Sequence, residues 1–225
     1  MTHKKLFAGM LTALGFAIAS PAHAVFIGNT QGGTDFPQGA ISFADTLISY
    51  TLTASVPSVP HQGGFNALGL PNYAGNNSCV DQAACTFVSL GSGGSIVLRF
   101  DDNKLTGSGN NALDIWVFEV GPNVEDTFVD ISKDGVNWSA VGKVFGSTAG
   151  IDIDAFGFTT ADQFGFVRLT DDLNEGGGGS GGTVGADIDA VGAISTVRTV
   201  SEPTVLPLLG IGLLGMAAAM RRKKA

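Results

Sequence analysis

Between residues 25 and 200 the chain alternates short apolar runs with glycine, serine, asparagine and aspartate. No stretch carries the three-to-four spacing of an amphipathic helix, so the pattern predicts strands throughout. They are expected at Ile48 to Ala54, Thr86 to Leu90, Ser95 to Phe100, Ala112 to Val120, Thr127 to Ser132, Trp138 to Phe145, Phe164 to Thr170 and Ala186 to Ser195. In the fourth, Leu113, Ile115, Val117 and Glu119 share one face, and Asp114, Trp116, Phe118 and Val120 share the other. Core packing is therefore the expectation for Trp116, and a half-buried position for Trp138. Lys133-Asp134-Gly135 reads as a hairpin turn, because glycine accepts the positive φ that such turns require. Eight or nine strands with regular turns predict an all-β antiparallel sandwich. The glycine-rich run from Gly176 to Gly182 is read as a loop before the last strand.

The two ends have a different pattern. Lys4 and Lys5, an apolar stretch from Leu6 to Ile18 and the small-x-small triplet Ala22-His23-Ala24 predict a signal peptide over residues 1–24, cleaved after Ala24. At the other end, Ser201-Glu202-Pro203 precedes sixteen uncharged residues from Val205 to Met220 and then Arg221-Arg222-Lys223-Lys224. That run is just short of the roughly 17 to 25 residues of a membrane helix, and Thr204 with the stems of Arg221 and Arg222 extends it. The span is placed at about residues 204–220, and the basic end favours a cytoplasmic C-terminus. An uncleaved anchor and a buried core helix are the plainer readings of the two ends.

This tail resembles the PEP-CTERM sorting signal, with Ser201 where that motif has its first proline. The resemblance implies recognition by an exosortase-type membrane protease. It also implies an inner-membrane-tethered precursor that passes to the cell surface or extracellular matrix. Sorting would rest on Ser201, Glu202, Pro203, Arg221 and Arg222. The intervening residues 25–200 fit one domain with a sizeable core. They hold six of the twelve basic residues and nineteen of the twenty acidic ones, all but Glu202, a net charge of about −13. Such a surface repels nucleic acid and offers oxygen ligands to divalent cations. Cys79 and Cys85 are expected to pair as a disulfide in an oxidising compartment. With His61 the only histidine of the mature stretch, a zinc site is poorly supported.

A second resemblance covers about Ala67 to Ser195. ALGLPNY, VSLGSGGSIVLRFDD, LDIWVFEVG, VDISKDGVNWSAVG, VRLTDD and GADIDAVGAI together look like the discoidin-like, galactose-binding-type jelly roll. The resemblance implies a β-sandwich whose end loops bind carbohydrate or a structural cation, without catalysis. Six aspartates at strand ends, Asp101, Asp102, Asp171, Asp172, Asp187 and Asp189, are candidate calcium ligands if the fold gathers them; otherwise they cap turns. Tyr73, in Leu70-Pro71-Asn72-Tyr73, is the candidate ligand-contacting aromatic. Asp152 and Asp154 read as an edge strand. The leading expectation is a non-catalytic surface or matrix protein with polysaccharide as its ligand and calcium as its one candidate cofactor. A secreted hydrolase using paired carboxylates and a purely structural matrix protein are the rivals. A Ser-His-Asp triad would need His61, and no Gly-x-Ser-x-Gly elbow accompanies it.

Overall fold

The computed structural model describes residues 23–29, 32–75, 79–121, 125–145, 148–175 and 182–199. The predicted membrane span and nearly all of the predicted signal peptide lie outside these. Among the described residues no helix is long and apolar enough to cross a membrane. The helical elements there are short 3-10 turns of three or four residues.

The rest is strand: β1 (Val25–Asn29), β2 (Gly32–Phe36), β3 (Thr46–Thr51), β4 (Val88–Ser89), β5 (Ser95–Arg99), β6 (Asn103–Leu105), β7 (Ile115–Glu119), β8 (Thr127–Ser132), β9 (Trp138–Val144), β10 (Thr148–Ile151), β11 (Phe166–Asp171), β12 (Asp187–Ala193) and β13 (Thr196–Arg198). Four strands pair in the order β10-β7-β12-β4 and five in the order β3-β5-β11-β8-β9, every neighbour antiparallel. Two-stranded sheets, β1-β2 and β6-β13, complete the set.

The core lies between the two larger sheets. Ile115, Val117, Ile188 and Val191 on one side meet Ile96, Leu98, Val129, Ile131, Val167 and Leu169 on the other, all buried. β5 and β11 bury every second residue, as a strand with one face on the core must. Each such side chain is worth about 1.5–3 kcal/mol of burial. All eight predicted strands are present. β8 keeps both predicted ends, β3 begins two residues earlier and β11 runs one residue further than predicted, while most other ends are trimmed by a few residues. β7, for example, starts at Ile115 and leaves Leu113 exposed. β13 follows the strand expected to be last, and of the glycine-rich run only Gly182 is among the described residues.

The turn between β8 and β9 forms around Gly135, at φ +77°. Asp134 Oδ1 accepts the N–H groups of Val136 and Asn137, both at 2.8 Å. These bonds hold its carboxyl well below the usual range.

The outer face of the four-stranded sheet is covered too. Trp116 and Phe118 point away from the main core, into a second cluster with Phe36, Phe43 and Ala190. The Phe36 and Phe43 ring centroids are 4.7 Å apart. Phe36 comes from the β1-β2 hairpin, which thus shields one side of the sheet and leaves a cleft beside it.

Candidate functional site

The cleft is built on β7. Trp116 is flanked on both neighbouring strands by glycine, Gly150 of β10 and Gly192 of β12. A Cβ at Gly150 would sit 3.0 Å from the indole Cε2, and one at Gly192 would sit 2.6 Å from Phe36 Cε1. The missing side chains let the indole and the phenylalanine rings lie close against the sheet. The indole Nε1 is buried without an acceptor. An orphan donor of this kind is satisfied by ordered water or by a polar group from outside the chain.

The opposite wall is the loop carrying Pro71 and Tyr73. Asp189 pins it: its carboxylate accepts the Asn72 N–H at 3.1 Å and the Tyr73 N–H at 3.2 Å. Burial pushes the Asp189 carboxyl up to about 6, although those two N–H bonds pull it down. A register shift between Ile188 and Ala190 marks a bulge around Asp189. Tyr73 stands edge-on to Phe87, ring centroids 5.8 Å apart. Below the loop, the predicted Cys79–Cys85 disulfide is formed and packs with Phe87 and Val120. Between hairpin and loop the cleft has a volume of about 620 Å³, and Trp116, Phe118, Glu119, Tyr73 and Asp189 are among its lining residues.

Glu119 has an unusual setting. It is 2% exposed, and neither carboxylate oxygen has a hydrogen-bond partner. Burial pushes its carboxyl up to about 9, and the charges of Glu125 and Asp187 add to that. Burial likewise raises Glu125 and Asp187, each to about 7, and raises Asp171. Alternation puts Glu119 on the face of Ile115 and Val117, which turns out to be the main-core face. The expectation of core packing fell instead on the Trp116 face, which packs into the second cluster. The approach of Glu125 and Asp187 leaves no mark in the sequence.

The six candidate calcium ligands do not gather into one site. Asp101 pairs with Arg99 and accepts from Thr46, at the β3–β5 end. Asp102 lies near Asp45 and Arg198. Asp171 accepts the N–H groups of Gly93 and Ala186, both at 2.8 Å, and Asp187 accepts from Ser89 Oγ. Asp172 is tied to Lys143 at 2.6 Å and to Asn174. Asp189 holds the Tyr73 loop. Asp102 feels the charge of its neighbour Asp101 and Asp171 that of Asp172, while Asp171 and Asp187 come together from different strands and share their surroundings with Glu125 and Glu119. The aspartates serve chiefly as acceptors for local N–H and hydroxyl groups, the role that alternation and turn chemistry leave open.

His61 is buried, its Nδ1 2.9 Å from Ser58 Oγ and its Nε2 without a partner. No carboxylate completes a triad there among the described residues. His61 also lies close to Cys79 and Cys85, but the disulfide leaves no thiolate to bind a metal. Of the predicted processing residues, Ala24 is exposed just before β1, whereas Ala22, Ser201, Glu202, Pro203, Arg221 and Arg222 lie outside the described residues.

No protein-family model matches the chain, and no curated protein matches it. Among solved structures, the C-terminal domain of a chitobiase from Bacteroides fragilis is similar at 12% identity and a TM-score of 0.38, over 72% of this chain and 97% of that one.

Proposed function

We propose that this chain is an exported, non-catalytic cell-surface or matrix protein of discoidin-like jelly-roll type, sorted by its 201–225 tail, that binds polysaccharide. The binding site is the cleft between the β1-β2 hairpin and the Tyr73 loop. The observation carrying this reading is the 620 Å³ cleft that has Tyr73 and Trp116 on its walls and Asp189 behind the loop. Its size falls within the roughly 300–1,000 Å³ of small-molecule sites. Aromatic faces stack on the apolar faces of sugar rings. The PEP-CTERM-like tail would bring the chain to an exosortase-type protease at the inner membrane, and export through a signal peptide would place the sandwich where polysaccharide is found.

A hydrolase remains the second reading, because Glu119 and Asp189 are two carboxyls of unequal acidity on one cleft. Two observations favour binding without turnover. Asp189 is occupied by two backbone N–H groups, and the Glu119 oxygens are buried away from the cleft surface.

The test is binding of the full-length chain, in detergent, to a panel of bacterial exopolysaccharides and defined oligosaccharides, beside Trp116→Ala and Tyr73→Ala. Loss of about 1–2 kcal/mol of affinity in each variant, measured at a temperature where both are folded, is the expected result. Binding indifferent to both substitutions, or turnover that disappears in Glu119→Gln, would overturn the reading.

A further inference from the structure

A different group of carboxylates lies at the end of β7 away from Glu119. Asp114 immediately precedes β7, and Asp152 and Asp154 follow β10, its neighbour in the sheet. One carboxylate oxygen from each of the three lies within 4.8 Å of the others. The backbone draws them together. Asp114 N–H donates to Ile151 O at 2.8 Å, and Asp114 Oδ2 accepts the Ile153 N–H at 2.9 Å. Asp154 is held by the N–H groups of Ser108 and Gly109, and Asp152 Oδ1 accepts the Asp154 N–H.

Turn geometry accounts for Asp152 and Asp154, but not for Asp114. Asp114 is 0% exposed, and its Oδ1 has no hydrogen-bond partner at bonding geometry. Burial raises its carboxyl, and the Asp154 charge adds to that; the Ser195 and Ser108 hydroxyls and the Ile153 N–H oppose both. None of the ion pairs among the described residues involves the three. A buried carboxylate beside two others, with no cationic side chain paired to any of them, is relieved either by a cation or by a proton.

We propose that Asp114, Asp152 and Asp154 form a divalent-cation site of the calcium type, which fastens the 106–113 and 152–157 loops to the β10-β7 end of the sheet. The donor set is oxygen alone, which suits a hard cation and not zinc. Calcium oxygens lie about 2.3–2.6 Å from the ion, so three carboxylate oxygens that all fall within 4.8 Å of one another are close enough to share one. Main-chain carbonyls and water complete the usual six to eight oxygens.

The test titrates calcium into the chelator-treated, full-length chain in detergent, read by calorimetry and by melting temperature. Calcium is expected to raise the melting temperature by about 5 °C or more at a hundredfold excess over Kd. Asp152→Asn should weaken calcium binding at least about tenfold, since one charged ligand is lost. Its calcium-free melting temperature should equal or exceed that of the unsubstituted chain, because one of three crowded negative charges is gone. Glu119→Gln should keep the full calcium response. Absence of any response at millimolar calcium overturns the site, as does an Asp152→Asn chain of undiminished affinity. Loss of the response in Glu119→Gln also overturns it, because that places the ion among the buried acids around Glu119.

Discussion

Asp189 and Asp187 stand two apart in one strand, and simple alternation gives them a common face and a common task. The structure gives them different tasks. The bulge near Asp189 interrupts the alternation, so Asp189 reaches the Asn72 and Tyr73 N–H groups, whereas Asp187 bonds Ser89. Replacing Asp189 with alanine leaves two loop N–H groups without an acceptor. The expected cost is about 1–3 kcal/mol, read as a lower urea midpoint, with a matching loss of any ligand that Tyr73 touches. Asp189→Asn keeps an amide oxygen that can accept both N–H groups, as Oδ2 does, and should cost less than alanine. Equal losses from the two substitutions would show that the charge, not the acceptor, holds the loop. What was legible at this scale was the pairing of Cys79 with Cys85. What was hidden was the partner of each aspartate, because a one-residue bulge redirects side chains without leaving a mark in composition.

At the scale of elements, the strands with clear apolar alternation were legible and the weak ones were not. β5, β7, β8, β9 and β11 each carry a periodic apolar face, and each was placed to within a few residues. β6 and β13 are three residues long, and β10 reads Thr-Ala-Gly-Ile, so none has a pattern to find. The β1-β2 hairpin is glycine-rich, and its one fully buried ring is Phe36. Yet that hairpin makes one wall of the cleft, and so half of the proposed site was invisible in the sequence. Phe36 is what attaches it, through Phe43 at 4.7 Å and Phe118 at 5.9 Å between ring centroids. Phe36→Ala is expected to cost about 3–5 kcal/mol. Amide exchange should then rise across the β1 and β2 strands far more than across the β5-β11 pair, because Phe36 is their one fully buried side chain among the described residues. Uniform loss of protection over both sheets would instead make the hairpin part of the main cooperative unit.

For the molecule as a whole, the decisive feature is where the negative charge lies. Much of it is carried in loops, but Glu119, Glu125, Asp171, Asp187 and Asp189 are buried at one end of the sandwich. Burial raises all five above their ordinary values, with Glu119 reaching about 9, Glu125 and Asp187 about 7 and Asp189 about 6. Tyr50 and Tyr73 face the same group and are raised as well, first by burial and then by the Asp187 charge. A carboxyl raised in the folded state binds protons that the unfolded chain releases. Its stabilising contribution is therefore fully present below about pH 4 and is lost as pH rises through the folded values, up to about pH 9. Asp162, Asp172 and Asp134 act in the opposite sense: Lys133, Lys143 and the Asn137 N–H, respectively, lower them, so their contribution disappears as pH falls below about 4. The two trends place maximal stability near about pH 4–5, on the acid side of the range common for globular proteins. With chelator present, the urea midpoint of the full-length chain should be higher at about pH 5 than at about pH 8. Glu119→Gln should remove much of the fall between about pH 7 and 9, because an amide has no proton to lose there. A midpoint that rises from pH 5 to 8 under chelator would mean that hydrogen-bond donors around these carboxyls outweigh their burial. The Glu119 end would then be a site for bound water, and the proton would have no part in its stability.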